Sequence, residues 1–136
     1  MPSIGVIDDR PDIRSIVVDA LTLAPALADS WNIVSANPLS RLEDYPSWIA
    51  EHKISVLIID ERLNESANPS EVAVSYYGHD LVKYLRSRMG NFPIFVVTSY
   101  SNDVELRKRF GDVEDIIDRT RFMRDADSYA TRFARS

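Results

Sequence analysis

Short apolar blocks alternate along this chain with longer stretches in which apolar residues recur at helical spacing. Ile4-Gly5-Val6-Ile7 reads as a buried strand closed by two carboxylates, Asp8 and Asp9. Pro11 and Asp12 then suit a first helical turn. Ile13, Ile16, Val17, Ala20, Leu21 and Ala24 keep a helical period until Pro25 stops it. Trp31 to Ala36 reads as a second strand and Asn37-Pro38 as a turn. The stretch 40–53 predicts a helix with a break at Pro46. Ser55 to Ile59 is an uninterrupted apolar run of the kind buried on both faces of a parallel sheet, and it ends in Asp60.

The segment 61–77 is irregular. A helix is expected over 80–88, with Leu81, Tyr84 and Leu85 on one face and Gly90-Asn91 closing it. Phe92 to Val97 forms a fourth strand ending at Thr98-Ser99. A short helix follows over 103–110, a brief fifth strand at Ile116-Ile117, and a last helix over 124–135. Such alternation is the signature of an α/β protein with a parallel sheet. In these sheets crossovers are right-handed and ligands bind beyond the carboxyl ends of the strands. Asp8, Asp9, Asp60, Thr98 and Arg119 each end a strand, so the topology gathers them at one rim.

A length of 136 residues predicts a single domain over 1–136. The balance of 45% hydrophobic and 27% charged residues argues against disorder. A net charge of -5 speaks against general attraction to nucleic acid or anionic lipid. No apolar run reaches the ~20 residues that cross a bilayer, and no signal peptide precedes the first strand, so the expected location is cytoplasmic. With no cysteine, disulfides and thiolate metal sites are excluded. Arg119, Arg121, Arg124, Arg132 and Arg135 make the carboxy end basic, read here as a solvated helix face.

Three carboxylates on one rim repel one another unless a cation neutralises them. A hard divalent ion such as Mg2+ binds through one or two carboxylates and completes its shell with water and phosphate oxygens. A carboxylate can itself be the nucleophile that accepts a phosphoryl group. The Thr98 hydroxyl and the Arg119 cation would then hold the phosphoryl oxygens. Singly, each residue has an ordinary explanation: an Asp pair as a helix cap, a Thr as a strand former, an Arg as surface. Their combination at successive strand ends is what suggests a site.

These residues are where the sequence resembles the receiver domains of bacterial response regulators, over nearly the whole chain. Ile7-Asp8-Asp9 is similar to that family's acidic pair, and Val56 to Asp60 to its third strand with the phosphorylated aspartate. Gly78-His79-Asp80-Leu81 is similar to the glycine and helix that follow. Phe95 to Ser99 looks like the fourth strand with its hydroxyl, here Thr98. The resemblance implies a doubly wound five-stranded sheet in the order 2-1-3-4-5, with helices on both faces. It implies Mg2+ held by Asp8, Asp9, Asp60 and the backbone carbonyl of Arg62, with Asp60 as phospho-acceptor. The implied partners are a sensor histidine kinase or phosphotransfer protein and an unidentified downstream protein, with a second copy of the chain left open. Catalysis is limited to the domain's own phosphoryl transfer and dephosphorylation.

The sequence departs from that family at three places. Arg119 stands where the family has a lysine, and Thr120 where a proline usually follows. The aromatic position of strand five is Ile116. The segment between Asp60 and Gly78 is roughly ten residues longer, a length at which loops are often functional. Within it, Glu61, Glu65, Glu71, Tyr76 and Tyr77 leave open a surface insertion, a lid over the acidic pocket or a docking site. Two other functions compete. One is a pseudo-receiver, the same fold serving as a binding module without phosphorylation, for which Arg119 contacting Asp60 directly would speak. The other is a phosphohydrolase, disfavoured because Asp8-Asp9-Arg10 misplaces its second acid. His52 and His79 read as isolated structural or exposed residues, and Trp31 and Trp48 as packing residues.

Overall fold

The computed structural model describes residues 1–64, 74–111 and 113–136. Five strands are formed by the apolar blocks: β1 (Ser3–Ile7), β2 (Asn32–Ala36), β3 (Ile54–Ile59), β4 (Ile94–Thr98) and β5 (Asp115–Asp118). All pair in parallel, in the order β2-β1-β3-β4-β5. Side chains on a strand point alternately to the two faces, and the sheet uses this to feed two cores. Leu57 and Ile59 of β3 and Ile94 and Val96 of β4 face one side. Val56, Ile58, Phe95 and Val97 face the other.

Helices cover both faces. On the first lie α2 (Tyr45–Glu51), α3 (Gly78–Met89) and α4 (Val104–Phe110), which contribute Tyr45, Ile49, Leu81, Val82, Leu85, Leu106 and Phe110. On the second lie α1 (Pro11–Thr22), α5 (Arg119–Arg124) and α6 (Ala126–Ala134), which contribute Val17, Leu21, Phe122, Ala130 and Phe133. The fold class, strand order and two-sided helical cover anticipated from the sequence are all present. Among the described residues no helix is long and apolar enough to cross a membrane.

One helix prediction needs correction and one helix was not anticipated. The stretch 40–53 is not a helix broken at Pro46. A single 3-10 turn at Leu42–Asp44 precedes α2, and Pro46 lies in its first turn, where the absent N–H costs no hydrogen bond. The last helix expected over 124–135 is present as α6, and a further helix that the sequence reading did not anticipate, α5, precedes it. Asp118 caps α5, its carboxylate accepting the Arg121 N–H at 3.1 Å, and the chain turns at Asp125 before α6. Arg119 therefore leaves β5 directly into a helix start.

Candidate functional site

Asp60 follows the last residue of β3, which pairs with both β1 and β4, so its side chain emerges at the middle of the rim. It is only 6% exposed. One carboxylate oxygen accepts the N–H of Glu61 at 2.7 Å. The other faces Nη2 of Arg119 at 3.3 Å. The buried hydroxyl of Thr98, at the end of β4, favours the charged form of the same carboxylate and accepts the N–H of Tyr100 at 3.2 Å. Asp60, Thr98 and Arg119 are thus in direct contact although they are far apart in sequence.

Asp8 and Asp9, beyond β1, are each 5% exposed. Asp8 accepts the N–H of Arg10 at 3.0 Å, and its backbone carbonyl takes Nη1 of Arg14 at 2.7 Å. The same Arg14 nitrogen donates to the Asn37 side chain, so α1 ties β1 to the turn after β2. Burial pushes the Asp8 carboxyl up to about 7 against the Arg10 N–H, with the negative charges of Asp60 and Asp9 adding to the effect and Arg119 opposing it. Asp60 is also raised, by burial above all, although Thr98, the Glu61 N–H and Arg119 favour its charged form. The rim is therefore short of positive charge.

Among the described residues no group of three carboxylates or imidazoles forms a ready-made cation cage. Magnesium does not require one, since one or two carboxylates with water and phosphate oxygens suffice. Buried Asp8 and Asp60 carboxylates, with the charge of Asp60 raising the proton affinity of Asp8, fit that donor chemistry. The Arg62 side chain is exposed and lies over the Tyr100 ring, 4.0 Å from its centroid, bridging the loops that follow β3 and β4.

The start of α3 is pressed against Asp60. A Cβ on Gly78 would come within 2.3 Å of the Asp60 carbonyl oxygen, so only glycine fits there. The Gly78 N–H donates to the Glu61 carbonyl at 2.8 Å. Glu61 is 3% exposed, and its carboxylate takes the His79 N–H at 2.9 Å and His79 Nδ1 at 2.8 Å. Arg109 of α4 stands 4.0 Å from the same carboxylate. Sequence reasoning missed this pair, reading Glu61 as loop and His79 as isolated.

Of the other residues singled out in the 61–77 segment, Tyr76 and Tyr77 are held by neighbouring side chains. Tyr76 is 7% exposed and its hydroxyl lies 2.6 Å from that of Tyr45. Tyr77 is exposed, stacks on His79 and gives its N–H to Asp80 at 2.9 Å. Glu65 and Glu71 lie outside the described residues. Of the basic carboxy end, Arg132 pairs with Asp115 at 2.6 Å and Arg119 turns inward, while Arg121 and Arg135 are exposed. Trp31 and Trp48 are half-buried, as expected, and His52 packs on Trp48.

No family model and no curated protein matches this chain. Solved structures do. The receiver domain of NtrX from Brucella abortus is 16% identical, with a TM-score of 0.61 over 95% of this chain and 98% of that one. A DNA-binding response regulator of the LuxR family from Staphylococcus aureus is 15% identical, with a TM-score of 0.69 over 99% and 98%. The fold is that of a receiver domain. A third receiver-fold neighbour, the response regulator protein TrrA from Thermotoga maritima, was solved in complex with Mg2+ and BeF. It is 15% identical, with a TM-score of 0.64 over 98% of this chain and 99% of that one.

Proposed function

We propose that this chain is a single-domain, cytoplasmic receiver of two-component signalling in which Asp60 accepts a phosphoryl group and so switches a partner-binding face. The observation that carries this reading is the buried Asp60 carboxylate met by the Thr98 hydroxyl and, at 3.3 Å, by Arg119. A carboxylate oxygen of Asp60 forms the new O–P bond while the P–N bond of a donor phosphohistidine breaks. The electron pair of that bond stays on the imidazole nitrogen of the sensor kinase or phosphotransfer protein.

Thr98 then donates to one phosphoryl oxygen, and Arg119 offers a planar fork to two. Asp8, Asp9, Asp60 and the Arg62 carbonyl would hold Mg2+. When bound there, the ion offsets the charge that gathers on the transferred group. Thr98 and Arg119 report occupancy to the surface around α4 and β5, where an unidentified downstream protein or a second copy docks. The half-buried Ile116 replaces an aromatic reporter there.

Acetyl phosphate with Mg2+ tests the reading by intact mass. The expected result is one added phosphoryl group, absent without Mg2+ and absent in Asp60→Asn. No mass gain from acetyl phosphate or from a phosphorylated phosphotransfer protein would sink it, as would an Asp60→Asn chain that is still labelled.

The Arg119 contact also favours a second reading, in which Arg119 permanently neutralises Asp60 and the domain binds partners without phosphorylation. It predicts that Asp60→Asn leaves partner binding unchanged, whereas the first reading predicts that binding stops responding to phosphodonor.

A further inference from the structure

Glu61 is an unusual neighbour for an acceptor carboxylate. It is the next residue in the chain, it is 3% exposed, and its negative charge acts on Asp60. Burial of an acid is costly unless hydrogen bonds and opposite charge compensate it. Here the compensation comes from the far side of the long insertion. The His79 N–H reaches Oε1 at 2.9 Å, and Nδ1 lies 2.9 Å from Oε1 and 2.8 Å from Oε2. Across the gap, Arg109 of α4 adds a cation 4.0 Å from Oε2.

His79 is itself held in place. Tyr77 stacks on its ring at 5.5 Å with an interplanar angle of 14°. Its Nε2 faces Asp80 Oδ1 at 3.5 Å. The preceding Gly78 cannot move outward without losing its N–H bond to the Glu61 carbonyl. The ring therefore aims Nδ1 at both carboxylate oxygens of Glu61 and ties them to the start of α3.

We propose that His79 is a positioning residue for phosphoryl transfer, clamping the Glu61 carboxylate onto α3 and so keeping a second negative charge away from the Asp60 acceptor. The inference rests on the phospho-acceptor reading and extends it. An incoming phosphoryl group is anionic, and an uncompensated carboxylate turned toward it would repel it. The clamp also gives α4 a stake in the site through Arg109, the only member of the set that lies beyond β4.

Acetyl phosphate labelling in Mg2+ tests the clamp with a double-mutant cycle. Loss of the imidazole in His79→Leu is expected to slow labelling of Asp60 about tenfold, equivalent to ~1.4 kcal/mol in the barrier. Glu61→Gln is expected to label at the wild-type rate or faster. Combined with His79→Leu it should restore the rate to within about twofold of wild type, because no charge remains to be held. Arg109→Gln, at a half-exposed position, is expected to slow labelling about twofold, an effect that Glu61→Gln removes; it decides the matter should His79→Leu fail to fold. Wild-type labelling in His79→Leu would overturn the inference. So would slow labelling that persists in the double variant, which would make His79 merely structural. An unlabelled wild-type chain would instead refute the phospho-acceptor reading itself, a result distinct from either.

Discussion

Gly78 is the residue with least freedom to change. Its missing Cβ leaves room for the Asp60 carbonyl, and no flexible side chain stands in between to yield. Gly78→Ala should displace the start of α3 from the end of β3 and destabilise the fold by about 1–3 kcal/mol, the usual range for overpacking. Urea melts would measure it, and a loss below ~0.5 kcal/mol would mean that the close approach is looser than the geometry implies. At this scale the sequence was informative wherever a polar residue ends an apolar run. Asp60, Thr98 and Arg119 could be read as one constellation because each closes a strand and the topology supplies the rest. Glu61 and His79 could not. Their contact spans a long insertion, and no periodicity links a loop acid to the second residue of a helix. The signal available was weak: a histidine and a glutamate flanking an aspartate and a glycine already singled out.

Elements were legible in kind more than in extent. Pro46 looked like a breaker although proline is equally at home in a first turn, and only the packing of Tyr45 and Ile49 decides between them. The extra helix α5 was signalled by Asp118, an N-cap type just before Arg119, but Phe122 and Met123 are too few to show a period of their own. A polar ring joins three elements on the first face. The Leu39 N–H donates to the Tyr45 hydroxyl at 3.1 Å, the two tyrosine hydroxyls meet at 2.6 Å, and Tyr76 donates to the Leu39 carbonyl at 2.5 Å. Burial pushes the Tyr45 hydroxyl from 10.0 up to about 12, and Tyr76 is raised as well. A neutral tyrosine is thus favoured by folding. Its contribution is complete below pH 10 and is lost as pH rises through about 12. Tyr45→Phe should cost about 1 kcal/mol at neutral pH through the lost hydrogen bonds. It should also show a shallower fall of the urea midpoint above pH 10 than the wild type does. Parallel curves would refute the assignment.

For the molecule as a whole, the two cores are unequal in chemistry. The side under α2, α3 and α4 contains the tyrosine ring and lies next to the Glu61 clamp. The side under α1, α5 and α6 is built on aromatic stacking. Phe133 is fully buried, 4.7 Å from the Phe95 ring and 6.3 Å from the Phe122 ring. Phe133→Ala should therefore cost about 3–5 kcal/mol. Because the rim that holds Asp60 is built mainly from strand ends, the proposed phosphorylation of Asp60 should persist in the remaining folded fraction. Calorimetry paired with mass labelling would show whether stability and phosphorylation separate in this way.

The tie between Glu61 and Gly78 has a consequence for how this chain can diverge. Because Glu61 and Gly78 are stitched together, with Leu63 and Tyr76 sunk in the core beside them, sequence changes between Leu63 and Tyr76 need not disturb the strand that carries Asp60. A lineage could acquire a new recognition epitope at that point while the surroundings of Asp60 stay as they were.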